Sequence, residues 1–280
     1  IEKYGVLGGS ATVSLVGPFM TSFSNDGSIQ LCKGIFEELV NGMVKINGAI
    51  HPRDIRYNSP YCGYRIFGHD HVTPFELEAM KKVSMDMVNE AGVHTLLHTS
   101  FVDVIMKGNM IDKIITFNKT GMQAYKAKVY IDCTGDADVA ASSRVPIKVG
   151  REEDGLTQPM TMFFRMANID DKAVDEYRKL HPEEGERLFG TIVDEKRESG
   201  EWTIARDKVA MYKTTIPGIW RFNITRILGL DGTKAEDLTK AEIEGREQVH
   251  QLVEFFHKYL PGFEDAVLIS ERLVYGDVYT

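Results

Sequence analysis

The stretch Cys133-Thr134-Gly135-Asp136-Ala137-Asp138 has the residue types and spacing best suited to chemistry in this chain. The alternating apolar run before it, Ala127-Lys128-Val129-Tyr130-Ile131, predicts a short buried strand. Val139-Ala140-Ala141 follows and predicts the start of a helix. A strand that ends in Thr-Gly-Asp and turns into a helix aims backbone N–H groups and a carboxylate at one spot. That spot suits a phosphate–sugar chain, with N–H groups facing phosphate and Asp136 accepting from a sugar hydroxyl. The plainer alternative is a strand–turn–helix in which an Asp caps the helix.

The first twelve residues, Ile1-Glu2-Lys3-Tyr4-Gly5-Val6-Leu7-Gly8-Gly9-Ser10-Ala11-Thr12, begin where a strand would end, at an acidic residue. In dinucleotide-binding folds an Asp or Glu about 20 residues after the glycine fingerprint accepts from the ribose hydroxyls. Glu2 fits that residue. Gly8-Gly9 would let the backbone approach a flat ring closely. No G-x-G-x-x-G occurs in the chain, so the first strand, its glycine turn and its helix are expected upstream of Ile1.

With these residues the sequence resembles the FAD-dependent oxidoreductases of the glutathione-reductase-like superfamily, which carries two dinucleotide-binding motifs. The resemblance rests on Glu2-Lys3-Tyr4-Gly5, Leu7-Gly8-Gly9, Ala11-Thr12, Gly34-Ile35-Phe36-Glu37-Glu38 and the segment from Ile131 to Ala140. It continues through Gln158-Pro159-Met160-Thr161-Met162, Phe164-Arg165, Asn223-Ile224-Thr225-Arg226, Ala241 to Arg246 and Pro261-Gly262-Phe263. Two departures stand out: the N-terminal glycine fingerprint and the C-terminal segment that closes over the flavin are both missing. Ser270 to Asp277 is only loosely similar to the family's Arg-rich segment. The resemblance implies FAD as cofactor, a small organic substrate, and a cofactor face made of Glu2, Lys3, Gly8, Gly9, Ser10, Ala11, Val102, Cys133, Thr134, Gly135 and Asp136. Val102 would set its backbone against the adenine edge; as a plain residue it reads equally well as a core strand valine.

The elements that must position these groups follow from periodicity. Ile29, Cys32, Ile35, Phe36, Leu39, Val40 and Met43 predict a helix between Gly27 and Gly48. His51 to Gly68 reads as an irregular excursion. Thr73 as N-cap, Pro74 at the first position and Glu76 three residues past the cap predict a second helix, ended by Gly92. Strands are expected over Val93–His98, Val102–Met106, Ile111–Phe117 and Met122–Tyr125. After Gly150 a polar linker leads to a strand over Met160–Met166 and a charged helical stretch broken at His181-Pro182 and Gly185. Two strands joined through Pro217-Gly218, Val209–Thr215 and Trp220–Leu228, precede a long helix over Ala235–Tyr259 with Ile243, Val249, Leu252, Val253, Phe256 and Leu260 as its stripe. The fold class expected is α/β: a partial Rossmann-like FAD-binding domain with a β-meander over 1–150, its first βαβ element upstream. A mixed α+β substrate domain with an incomplete C-terminus is expected over 151–280.

Composition narrows the function classes. The 280 residues are 43% hydrophobic and carry a net charge of −8, which argues against a nucleic-acid surface. No apolar run approaches the roughly 18 residues of a membrane span. Three scattered cysteines, Cys32, Cys62 and Cys133, favour reduced thiols in a cytoplasmic protein over a disulfide framework. Cys32 and Cys62 are read as small buried thiols, with a redox pair as the alternative. A small molecule is the expected partner, and a homo-oligomer is compatible with the sequence.

Flavin chemistry needs no triad or metal signature, so catalytic residues are hard to read here. His69 and His71 alternate and could meet one ion on a strand face; with no third ligand nearby, no metal is expected and a loop over the substrate is the better reading. Either imidazole could move a proton. His94 and His98 read as half-buried structural groups. Arg165, Arg221 and Arg226 near strand ends could grip a carboxylate or form an ordinary domain-interface ion pair. Two alternatives to the oxidoreductase stay open: a flavin-free nucleotide-fold protein with a structural or binding role, and an NAD enzyme using Glu2.

Overall fold

Amphipathic periodicity places the helices well. The computed structural model describes residues 1–24, 26–65 and 69–274; Gly68 and Tyr275-Gly276-Asp277, which the sequence reading included, lie outside them. Helix α1 spans Ile35–Lys45 and α2 spans Leu77–Glu90. Strands β1 (Ser100–Lys107), β2 (Met110–Asn118) and β3 (Gly121–Tyr125) follow, then a short α3 (Asp138–Ser142). The second half holds β4 (Thr161–Ala167), α4 (Asp171–Leu180), α5 (Gly190–Glu198), β5 (Met211–Lys213), β6 (Trp220–Phe222), α6 (Ala235–Tyr259) and β7 (Val267–Val274).

Two antiparallel sheets organise the molecule. The meander runs β1-β2-β3, and the second sheet runs β5-β6-β4-β7. One face of the second sheet is apolar: Met162, Phe164, Met166, Trp220 and Phe222 pack with Val249, Leu252 and Phe256 of α6. The rings of Phe164 and Phe222 stack at 4.8 Å. Directly paired residues share a face of an antiparallel sheet, so Arg165, opposite both Arg221 and Ser270, puts a polar row on the other face.

The stretch around residue 150 has no helix or strand between α3 and β4, yet packing crosses it. Tyr64 lies in the core of the second sheet. Phe163 packs with Met43, Phe75, Leu77 and Val83 on the opposite face.

Helices α1 and α2 cross where glycine permits. A Cβ on Gly48 would lie 2.1 Å from that of Ala79, and one on Gly42 would lie 2.6 Å from a Val83 methyl. Because Ala79 is fixed to a helix backbone, Gly48→Ala is expected to cost about 1–3 kcal/mol of stability by overpacking. Urea denaturation measures this, and an unchanged midpoint would show that the helices do not approach so closely.

Several expected elements are corrected. The first helix begins at Ile35, not near Gly27. Asp26 and Ser24 tie the backbone N–H groups of Ser28 and Ile29 into a local turn, which competes with helical bonding; Ile29, Leu31 and Ile35 are exposed. Thr73 does not cap the second helix: its backbone pairs with Phe19. The helix therefore starts at Leu77, with Glu76 at the cap position and no side-chain cap. Val93–His98 and Ala127–Ile131 form no ladder, and no parallel pair occurs among the described residues. Leu96 and His98 bond to Glu2 and Tyr4 without forming a ladder, and Ala127–Ile131 lacks a neighbouring strand to satisfy its backbone; Val129 is 74% and Ile131 84% exposed. The strands expected over Val209–Thr215 and Trp220–Leu228 shrink to three residues each. Ile243 is exposed rather than part of the α6 stripe. Strand β7 is an element the sequence reading did not place.

Candidate functional site

The turn after Ile131 is built by Asp132. Its Oδ1 accepts from Thr134 N–H at 3.0 Å and Thr134 Oγ1 at 2.8 Å, and its Oδ2 accepts from Ala140 N–H at 2.9 Å. Asp138 N–H donates to Thr134 Oγ1 at 2.8 Å. Burial would raise the Asp132 carboxyl, but the N–H donors of Thr134 and Ala140 outweigh it and hold the group below its ordinary range. Sequence reasoning passed over Asp132; the signal was an Asp two residues before a Thr, the spacing of a side-chain-closed turn. Gly135 sits at φ +95° and Ala137 at φ +56°. Beyond its chain neighbours, no atom of the described residues lies within 4 Å of a Cβ built on Gly135. The turn thus presents an open backbone flanked by Cys133, which is exposed, and Asp136. Helix α3 is only five residues long, so its dipole adds little.

The N-terminal segment lies beside the approach to β1. Glu2 N–H donates to Leu96 O at 2.8 Å, Thr99 N–H donates to Glu2 O at 2.9 Å, and His98 N–H donates to Tyr4 O at 3.1 Å. Tyr4 N–H fixes the Glu2 carboxylate through Oε1 at 2.9 Å. Three residues beyond Thr99 the ladder of β1 slips: Phe101 pairs with Thr116 and Asp103 with Ile115, which leaves Val102 as a bulge. Val102 is exposed, so it is not a core valine. Helix α3 packs alongside β1. Glu2 is thus bonded to the residue before β1, Val102 bulges from β1, and the helix that follows the Gly135 turn packs against the same strand.

Gly8 and Gly9 have φ of +106° and +47° and lead into a single 3-10 turn over Gly9–Ala11. Thr12 Oγ1 donates to Leu7 O at 2.8 Å and closes the loop. Gly8, Gly9 and Ser10 are exposed and Ala11 is buried; a Cβ on Gly9 would meet nothing within 4 Å. Lys3 is exposed, with Nζ 5.0 Å from the centre of the Tyr4 ring.

The two histidines do not converge on an ion. His71 is buried, stacked on Phe23 at 4.2 Å. Its Nδ1 is 2.8 Å from Pro52 O and its Nε2 2.9 Å from Arg56. Both ring nitrogens are thus engaged within the fold, with Asp70 Oδ2 3.4 Å from Nε2 as well, and the ring is a structural group. His69 is half-buried with no hydrogen-bond partner on Nδ1; burial and then nearby Arg65 push its pKa down. His94 and His98 are exposed rather than half-buried. Cys62 is buried and Cys32 exposed, both free. Among the described residues no cluster of His, Cys, Asp and Glu could hold a metal, and no helix is long and apolar enough to cross a membrane.

The arginines divide. Arg221 is buried under the Phe75 ring at 4.3 Å and donates to Phe75 O; burial pushes its pKa down to about 10, so it stays charged. Arg226 is exposed, and its backbone N–H donates to Gln248 Oε1 at 2.8 Å. Arg165 lies 3.5 Å from Glu76 and lines a cleft of about 450 Å³ between residues 4–15 and the polar face of β4 and β7.

The family of FAD dependent oxidoreductases matches residues 1–276, and the chain belongs to that family. A search of curated proteins returns no match. Among solved structures, CabE, an aromatic hydroxylase from angucycline biosynthesis, is similar at a TM-score of 0.52 and 8% identity, over 98% of this chain and 46% of its own. PnpA, a p-nitrophenol 4-monooxygenase from Pseudomonas putida DLL-E4, gives a TM-score of 0.44 and 12% identity, over 84% of this chain and 53% of its own. A geranylgeranyl bacteriochlorophyll reductase-like protein from Thermoplasma acidophilum gives 0.41 and 11%, over 72% and 43%. The chain thus spans about half the length of these structures. The likeness to CabE shows a shared fold.

The residues present fit parts of FAD. An open glycine turn, a bulged backbone at Val102 and a fixed carboxylate on Glu2 suit its ribityl, adenine and ribose groups. No glycine-rich fingerprint for the pyrophosphate occurs in the sequence.

Proposed function

We propose that the protein containing this chain is an FAD-dependent oxidoreductase acting on a small organic molecule. The observation that carries this reading is that Glu2, the Val102 bulge and the helix following the Gly135 turn all attach to β1 or the residue before it, in a chain that matches the family over nearly its whole length. In this reading Glu2 accepts from the adenosine ribose hydroxyls and Val102 meets the adenine edge with its backbone. Gly8-Gly9, with Ser10 and Ala11, let the chain approach a flat ring. Cys133-Thr134-Gly135-Asp136 receives the ribityl and phosphate region, and Lys3 lies beside the nucleotide. FAD supplies the redox chemistry when bound. The chain's own residues bind, orient and exclude water. Residues 1–150 would carry most of the cofactor face and 151–280 the substrate face. Arg165 would touch substrate, and His69, with a free ring nitrogen, is the remaining candidate for moving a proton.

Glu2 provides the test. Loss of its charged acceptor is expected to weaken FAD binding by about 1.5–3 kcal/mol, the scale of hydrogen bonds to an ionised group. Flavin retention after serial dilution of wild-type and Glu2→Ala full-length protein measures it. Equal retention would remove Glu2 from the nucleotide site. A wild-type protein without the visible flavin absorption would overturn the oxidoreductase reading itself.

A further inference from the structure

The cleft of about 450 Å³ beside β4 and β7 is sized for a small molecule. Its floor is the polar row of the second sheet. Arg165 and Ser270 are directly opposite in the ladder. Arg165 Nε and Ser270 Oγ are both buried and have no hydrogen-bond partner. A buried polar atom without a partner is rare in a folded protein; here two belong to directly paired residues that line one cleft. Arg272, two residues along the same face of β7, is exposed at the cleft wall, and half-buried Lys81 of α2 lines it too.

We propose that this cleft binds a small organic monocarboxylate, with the carboxylate on Arg165 Nε–H and Ser270 Oγ–H and the organic body against the apolar wall. The rest of the site supports that chemistry. Val13, Leu15 and Ile269 supply apolar wall. The lining holds three cations, Lys81, Arg165 and Arg272, against one carboxylate, Glu78, which is paired to Lys81 at 2.6 Å. Glu76 already offsets part of the Arg165 charge at 3.5 Å, which suits a single negative charge better than a phosphate dianion. A carboxylate satisfies both orphan donors at once, and charge-assisted bonds are the stronger kind. Calling this anion the substrate rests on the oxidoreductase reading; the binding itself does not.

Benzoate is the probe, with benzamide as its neutral isostere, titrated calorimetrically into full-length protein. Benzoate is expected to bind and benzamide to bind far more weakly. Ser270→Ala removes one hydroxyl from an atom that bonds nothing in the fold. Arg165→Lys keeps the charge beside Glu76 and removes the fork. At least one of these is expected to weaken benzoate about tenfold, the equivalent of one charge-assisted hydrogen bond. No benzoate binding, equal binding of benzamide, or unchanged affinity in both variants would overturn the proposal. Flavin absorbance read on the same samples separates the two readings: a flavin-free wild type that binds benzoate keeps the anion site and discards the oxidoreductase.

Discussion

Replacing Glu76 by alanine is expected to lower the unfolding free energy by about 3–5 kcal/mol, the cost of breaking a buried ion pair by removing one partner. One carboxylate holds three groups from distant parts of the chain. Oε1 accepts from Thr215 N–H at 3.0 Å and from Thr215 Oγ1 at 2.9 Å, and Oε2 faces Arg165 at 3.5 Å. Both charged side chains of the pair are largely buried, at 12% and 13% exposure. Arg221, also buried, lies on the same face and feels the same carboxylate. Alanine would leave two buried guanidinium groups facing each other with no anion between them. Glu76→Gln should cost less, because an amide oxygen can still accept from Thr215. Chemical denaturation of the two variants measures both effects. A loss within experimental error for Glu76→Ala would show that solvent reaches the cluster and that its charges do not depend on one another.

Gly135→Val is expected to abolish flavin loading of the full-length protein while leaving it folded. The backbone at φ +95° tolerates a β-branched residue poorly, at about 1–3 kcal/mol of strain. Beyond its chain neighbours, no atom of the described residues lies within 4 Å of the Cβ position. The larger consequence falls on whatever approaches the turn from outside. Gly135→Ala should lie between valine and wild type, and Asp136→Asn should weaken loading less than valine does. Flavin-to-protein ratios after purification, with thermal melts of flavin-stripped samples as a control for folding, measure this. Full flavin occupancy in Gly135→Val would place the cofactor elsewhere.

Elements held by their own periodicity were legible. The meander's strands are short apolar runs separated by turn residues, and α6 spaces Val249, Leu252 and Phe256 at three and four, so both were located from sequence. What depends on distant partners was not. Ala127–Ile131 has the composition of a strand and no neighbour to pair with. Strand β7 carries Glu271 and Arg272 in its middle, and Glu271 is tolerated because Arg246 of α6 meets it at 3.1 Å; nothing local announces that. The motif Thr-Gly-Asp drew attention to Asp136, but Asp132 shapes the turn. His69-Asp70-His71 suggested one chemical site, whereas the fold sends His71 to Pro52 and Arg56 as a structural bond. Arg165 was singled out from its place near a strand end, yet its neighbour Ser270 and its counter-charge Glu76 are 105 and 89 residues away in sequence, beyond any local pattern.

Tyr64 is fully buried among residues of the second sheet, with Arg178 of α4 stacked 4.6 Å over its ring. Arg178 also reaches Asn58. The loop around residues 55–64 is therefore irregular in shape but cannot come away by itself: freeing it means extracting an aromatic ring from the main core. Its local unfolding is tied to that of the sheet, as one cooperative unit. The stretch from Lys126 to Asp136 is held differently, by polar ties such as Lys126 to Asp112 at 3.0 Å and Tyr130 Oη–H to Asp112 O at 3.0 Å, while Val129 and Ile131 stay in water. A ligand gripping that stretch only in the folded state would stabilise the whole fold in proportion to how far it saturates the site, without any new contact in the core.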